Sequence, residues 1–592
     1  MYEADFGDRA GRRRAISVLA ACGMAWSLPA GVLGQDDPFP SVLDLMELDG
    51  STGFRLEGAG SESFFGSSLG SAGDLNGDGF EDLAVGAPFG GGFRGGVYIF
   101  FGGESFPAVV DASTLNGEDG LRIDGANPGD AAGRSVAGRG DVNGDGVDDV
   151  LIGADRADPD GMRDAGEAYV VFGRDVSVVG PFAAVFGLAD LDELTGVRFK
   201  GEGSSSYLGT DIGYAGDLDS DGYVDLICGA SQYSSPGSSF VGAAYVFYGR
   251  DPSSDPFPPT VDVGDLTPAD GARIAGDEAD ERAGTSLVAV CDVNDDGLKD
   301  FMVGAPRRTY GAGISYVVFG VADRTSVLDE FGDLDGTNGF KVVPPAGTYG
   351  NSGQAVASLG DINGDGVDDF AIGAPLENVG GRYSAGVTRV VFGRDDGFPP
   401  ELDLGDLDGT NGFTIEGDLE FGASGRSLAA GDINGDGIND IAISAPYAEG
   451  ELGQVYVLFG DDTPPPPVVQ LSDIDGTNGF VIVGSDTSRD RIGFALEFVG
   501  DLNGDGLEDL AVGTYPSPGY GEERAFVVFG RQLGGAPCAA DLDGDGALTI
   551  FDFLEFQNLF DIMDPRADFD GDGSFTIFDF LAFQNAFSAG CP

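Results

Sequence analysis

Asp74, Asn76, Asp78 and Asp82 occupy the first, third, fifth and ninth positions of the segment DLNGDGFEDLAVGAP, with Gly79 at the sixth. In a tight turn, alternate side chains converge on one point, the seventh residue offers its backbone carbonyl, and glycine permits the positive φ the turn needs. A set made only of oxygens suits a hard divalent cation. It suits calcium better than magnesium, which keeps its waters and rarely sits in an all-protein cage. One such loop taken alone has a second, weaker reading as an Asx turn between strands. This one returns six more times, as DVNGDGVDDVLIGAD from Asp141, DLDSDGYVDLICGAS from Asp217, DVNDDGLKDFMVGAP from Asp292, DINGDGVDDFAIGAP from Asp361, DINGDGINDIAISAP from Asp432 and DLNGDGLEDLAVGTY from Asp501. A turn uses one or two of these residues, whereas every copy keeps all four side-chain positions.

Position by position, the first loop offers Asp74, Asn76, Asp78, the Phe80 carbonyl and Asp82, and the second Asp141, Asn143, Asp145, the Val147 carbonyl and Asp149. The third offers Asp217, Asp219, Asp221, the Tyr223 carbonyl and Asp225, and the fourth Asp292, Asn294, Asp296, the Leu298 carbonyl and Asp300. Next come Asp361, Asn363, Asp365, the Val367 carbonyl and Asp369, then Asp432, Asn434, Asp436, the Ile438 carbonyl and Asp440. The last offers Asp501, Asn503, Asp505, the Leu507 carbonyl and Asp509. The expectation is about seven calcium ions that hold the strands around each loop in register, and hence a stability linked to calcium.

The elements that must carry these loops repeat with them, at a period of about 70 residues. Each unit has a GFxIxG-like run before the loop and a YVVFG-like run after it, giving four short strands in all: one entering the loop, one leaving it, the YVVFG segment and the next GFxIxG segment. Four-stranded units repeated seven times describe an all-β seven-bladed β-propeller. The last unit stops after its third strand at Phe526-Val527-Val528-Phe529, while Gly53-Phe54-Arg55-Leu56-Glu57-Gly58 is a GFxIxG strand with no preceding unit. The leftover strand is expected to fill the vacancy and close the ring.

The bulk numbers narrow the functions. With 100 acidic against 31 basic residues and a net charge of -69, phosphate backbones and anionic membranes are repelled, so nucleic acid is not an expected partner. The 592-residue chain has no histidine, which removes Ser-His-Asp and Cys-His machinery and the commonest general base. The prominent carboxylates are metal ligands, and no catalytic residue is assigned. Arg139-Gly140-Asp141 spells an integrin-recognition tripeptide, but Asp141 already opens a cation loop.

Both ends read differently from the middle. Arg12-Arg13-Arg14 followed by the apolar stretch Ala15 to Leu33 has the form of a signal peptide, with cleavage after Gly34 and a secreted or surface location. The arginines also suit a twin-arginine signal, and Leu19-Ala20-Ala21-Cys22 a lipoprotein box. No later segment is apolar for long enough to span a membrane. The divisions expected are 1–34 leader, 35–531 propeller, 532–537 linker and 538–592 a small C-terminal α-helical domain. In that domain DLDGDGALTIFD and DFDGDGSFTIFD each lead into a helix with Phe residues at three-to-four spacing. Their ligands would be Asp541, Asp543, Asp545, the Ala547 carbonyl, Thr549 and Asp552, then Asp568, Asp570, Asp572, the Ser574 carbonyl, Thr576 and Asp579, for two more calcium ions. Cys538 and Cys591 bracket the module and would form a disulfide in an oxidising compartment. Cys228 and Cys291 are expected to be free thiols.

Two resemblances follow. Phe65-Gly66 and Gly86-Ala87-Pro88 around the first loop resemble the FG-GAP repeat of integrin α-subunit propellers and related bacterial proteins, over roughly residues 41 to 531. In that family calcium loops lie on one face and partners bind the other, which implies adhesion or ligand recognition. The duplicated loop and helix, with Asp at the twelfth position, resembles a dockerin, an EF-hand-type module, and the ending Gly590-Cys591-Pro592 is similar to bacterial dockerin-like anchor domains. That implies a cohesin-like or other cell-surface receptor for the tail. Ile550-Phe551 and Ile577-Phe578 are apolar where many dockerins carry polar recognition residues. The reading is a non-enzymatic adhesion or ligand-binding module whose partner is an unknown extracellular protein or glycan. Its alternatives are a lectin-like propeller and a component of a polysaccharide-degrading assembly.

Overall fold

The run DLAVG, Asp82–Gly86, is buried at all five positions, too apolar for a strand with one wet face. Such a strand needs cover on both sides, which an interior position in a sheet between two other sheets supplies. The equivalent runs Asp149–Ala154, Asp225–Ala230, Asp300–Gly304, Asp369–Ala374 and Asp440–Ala445 are buried throughout in the same way. In the first sheet Ser68–Gly73, Asp82–Gly86, Gly96–Phe100 and Gly120–Asp124 pair antiparallel in chain order. Seven sheets of this kind make a seven-bladed β-propeller.

The computed structural model describes residues 39–532 except 61–62, 252–253, 323, 325–327, 462, 464, 485–488 and 516–522, together with scattered positions from 553 to 584. The core is divided into seven hydrophobic clusters, each formed where two neighbouring blades face each other. Ile99 and Leu121 of the first blade meet Val150 and Ile152 of the second, for example. Phe54 and Val527 of the last blade meet Leu83 and Val85 of the first, so the apolar contact runs around a closed ring.

Gly53–Glu57 pairs antiparallel with Arg524–Val528, Phe54 opposite Val527 and Leu56 opposite Ala525. Both side chains from the N-terminal strand are fully buried, at 0% exposure. A second N-terminal strand, Val42–Asp44, adds in parallel to the outer edge of the sixth blade, beside Val481 to Val483. The first segments of the chain therefore tie the last two blades together.

This parallel strap recurs and was not expected from the four-strand pattern. Val109–Asp111 lies along Gly53–Glu57, Val185–Gly187 along Gly120–Asp124 and Thr260–Asp262 along Gly196–Lys200. Glu401–Asp403 and Val468–Gln470 do the same for the fourth and fifth blades, and the third has a single bridge, Ala275 to Glu330. Each strap turns through one 3₁₀ turn whose leading residue is buried, Leu45, Ala112 and Leu188 among them. The strap covers the outer edge that would otherwise present unpaired backbone groups.

In the C-terminal region Phe556, Leu559, Ala567 and Phe583 form a small apolar cluster, flanked by Phe553, Phe560, Phe569 and Phe580. Of the ligand positions expected there only Thr576 falls among the described residues. The leader 1–34, Cys538 and Cys591 lie outside them as well. Among the described residues no helix is long and apolar enough to cross a membrane, and Cys228 and Cys291 are free thiols.

Candidate functional site

Each propeller loop joins the innermost strand of a blade to the second, so all seven lie at the same end of the inner strands. Their aspartates organise the backbone first. Asp74 accepts the N–H groups of Asp78 and Gly79, both at 2.9 Å, and Asp78 accepts that of Phe80 at 3.0 Å. The same ladder returns in the second loop, where Asp141 accepts from Gly144, Asp145 and Gly146, and in the fifth, where Asp361 accepts from Gly364, Asp365 and Gly366. At the sixth position Gly79, Gly146, Gly222, Gly297, Gly366, Gly437 and Gly506 all have φ between 88° and 95°. That conformation is strained for any residue with a Cβ, although open space surrounds these glycines.

The ninth-position aspartates have a second structural role that the ligand pattern alone does not reveal. Asp82 accepts the Leu75 N–H at 3.1 Å and the Gly102 N–H at 2.9 Å, tying the loop entrance to the end of the third strand. Asp149 does so with Val142 and Gly173, Asp225 with Leu218 and Gly249, and Asp300 with Val293 and Gly320. Asp369, Asp440 and Asp509 complete the set with Gly393, Gly460 and Gly530. This explains the glycine that closes every YVVFG-like run: a Cβ on Gly102 would sit 2.3 Å from the Glu81 carbonyl oxygen. The signal was present in the sequence as that repeated glycine.

All seven of these aspartates are 0% exposed. Burial, with the neighbouring loop aspartates adding to it, raises their pKa: to about 7 for Asp225 and to about 8 for Asp300, Asp369 and Asp440. Asp82, Asp149 and Asp509 are raised well above the usual carboxylate range for the same reason. A carboxylate driven toward its neutral form by burial and by like charges is one that a dication would return to the ionised form.

The donor set fits a calcium ion. Asn76 Oδ1, buried at the third position of the first loop, has no hydrogen-bond partner, while its amide donates to Asp78 at 2.9 Å. An orphaned buried oxygen among carboxylates is what an oxygen-ligated cation would satisfy. Among the described residues, three carboxylate ligands come within 4.8 Å of one another in the third loop, at Asp217, Asp219 and Asp225. There Arg324 pairs with Asp219 and Asp221, its guanidinium 4.6 Å above the Tyr248 ring. The third loop, alone in having Asp rather than Asn at its third position, thus carries a cationic side chain as well. Arg139 of the Arg-Gly-Asp tripeptide pairs with Glu81 at 3.3 Å, and Asp141 is committed to its loop.

The repeated unit is now defined by its loop, its four strands, the glycine at the loop's sixth position and the glycine that closes the third strand. A family model described as the FG-GAP repeat matches residues 65–100, 132–171, 212–247, 283–318, 352–391 and 424–458. These blades are FG-GAP repeats. The seventh blade lies beyond the matched segments but pairs its strands in the same order. Over 184 residues the FG-GAP region is 35% identical to the phosphatidylinositol-glycan-specific phospholipase D of Rattus norvegicus, covering 30% of this chain and 20% of that protein. It is 30% identical over 254 residues to integrin alpha-5 of Xenopus laevis, covering 42% of this chain and 21% of that one. The match to the phosphatidylinositol-glycan-specific phospholipase D of Dictyostelium discoideum is 26% over 340 residues, 55% and 33% of the two chains. The chain therefore spans a fifth to a third of the length of these relatives.

Proposed function

We propose that this FG-GAP propeller is an exported calcium-binding module that works by recognition rather than catalysis, binding an extracellular ligand and held in place through a dockerin-like C-terminal region. The observation that carries the reading is the repetition of the cation-fitting loop at one end of all seven blades, in a chain of which 42% is similar to part of an integrin α chain. Calcium would supply charge neutralisation and cross-linking for the carboxylates at the first, fifth and ninth positions. The chain's own residues do the rest. The first and fifth aspartates shape the turn through its backbone N–H groups, and the ninth locks the turn to the third strand. A rigid ring then leaves the opposite face, built from the connections between second and third strands, free for a partner.

The phospholipases among the relatives share only a fraction of their length with this chain. A chain without histidine, whose buried aspartates are occupied by backbone donors, offers no assembled acid–base pair in the loops. The test is to probe the purified protein on arrays of glycans and extracellular proteins, in calcium and again in chelator. Retention of at least one class in calcium and its loss in chelator is the expected result. No retention, or turnover of a phosphodiester substrate, would contradict it.

A further inference from the structure

At the end of the inner strands away from the loops, the axis of the propeller opens into a mouth of about 390 Å³, continuous with a channel of about 500 Å³ between the inner strands. Acidic residues outnumber basic ones by about three to one in this protein, 100 against 31. The mouth reverses that ratio. Among the described residues its charged lining is Arg134, Arg156, Arg282, Arg307 and Arg426, with Asp155 as the one carboxylate.

These arginines come from equivalent places in different blades. Arg134 and Arg426 directly follow a glycine of positive φ at the start of the inner strand, and Arg156 and Arg307 stand at the start of the connection between second and third strands. Arg134 pairs with Asp155 at 3.4 Å, and Arg282 with Asp280 at 3.2 Å. Among the described residues Arg156, Arg307 and Arg426 have no ion pair. Arg426 is half-buried and lies 4.8 Å above the ring of Phe494. Phe89, Tyr207, Phe494 and Tyr515 also line the mouth, with Phe494 stacked on Tyr515 at a centroid distance of 4.3 Å. Deeper down, Asp211 and Glu497 line the channel wall together with Arg139.

We propose that this mouth binds the terminal acidic sugar of a glycan, one bearing a carboxylate or sulfate. Arginine forks match planar or tetrahedral oxyanions with paired hydrogen bonds, and they are strongest in a concave site shielded from water. The Tyr207 ring suits the apolar face of a sugar ring, and the volume falls in the range of small-ligand sites. A single terminal charge fits better than a long polyanion, which the net charge of -69 repels. The inference rests on the reading of the propeller as a binding module and names its site and ligand class.

The test is titration calorimetry of the full chain in calcium with a glucuronic-acid-terminated disaccharide and its glucose-terminated counterpart, which lacks only the carboxylate. An acidic tripeptide serves as a third probe. The acidic sugar is expected to bind at least about tenfold more tightly than the other two. Arg307→Gln and Arg426→Gln are each expected to weaken it about tenfold while leaving the melting temperature in calcium unchanged. Equal affinity for the neutral sugar, preference for the peptide, no binding of the acidic sugar, or indifference to both substitutions would overturn the proposal. If the acidic sugar fails while another glycan or protein binds on the arrays, the site assignment falls and the binding-module reading stands; silence in both experiments removes both.

Discussion

Asp300 and Asp296 belong to one loop and are predicted to behave differently when removed. Asp300 is buried and accepts the N–H groups of Val293 at 3.1 Å and Gly320 at 3.0 Å, whereas Asp296 is exposed and water can replace it. Asp300→Ala strands two buried donors, so urea unfolding should lose about 2–4 kcal/mol in chelator, and more in calcium, where a ligand is lost as well. Asp296→Ala should cost stability in calcium and almost nothing in chelator. Equal losses from both variants in chelator would contradict this division of labour. The raised pKa values of the ninth-position aspartates also fix the sign of a pH effect. Between the ordinary carboxylate value of 3.8 and the folded values of about 7 to about 8, the folded protein holds more protons than the unfolded one. The stability of the metal-free protein should therefore fall as pH rises through that window. With calcium present the trend should reverse, because protons compete for the ligands. Denaturant midpoints from pH 5 to pH 8, with and without chelator, check both. The seven loops were legible because glycine and carboxylates sit at rigid spacings. The tie from Asp82 to Gly102 left only the repeated glycine as its mark, since it joins residues brought together only when the third strand pairs.

The four-strand unit was legible in the same way, because alternating apolar runs of five or six residues carry a period. The straps were not. A run such as Val42–Asp44 has three residues and one buried side chain, too short to show a period, and its pairing is parallel and lies in a neighbouring blade. The closing strand and the strap make separable predictions. Phe54→Ala removes a fully buried ring stacked on Phe106, with centroids 4.4 Å apart, and should cost about 3–5 kcal/mol. Deleting residues 39–44 should cost less, because it uncovers the edge of the sixth blade without opening the ring. Deleting through Glu57 should leave Arg524–Val528 with an unpaired edge and promote self-association. Thermal unfolding and size-exclusion chromatography of the three variants rank these effects; a strap deletion as damaging as ring opening would contradict the ranking.

At the scale of the whole molecule, the two ends of the propeller differ around its axis. One end carries seven loops rich in aspartate, and the other gathers five arginines around the mouth. Without a cation the loop carboxylates repel one another within and between blades. The central claim is that calcium in these loops holds the ring together. The most direct measurement is differential scanning calorimetry of the purified protein, with calcium and after exhaustive chelation, joined to a count of bound calcium by equilibrium dialysis. A large fall in melting temperature on chelation, reversed by added calcium, and binding of about seven ions by the propeller are expected. An unchanged melting temperature with no bound calcium would reduce the loops to Asx turns and contradict the account.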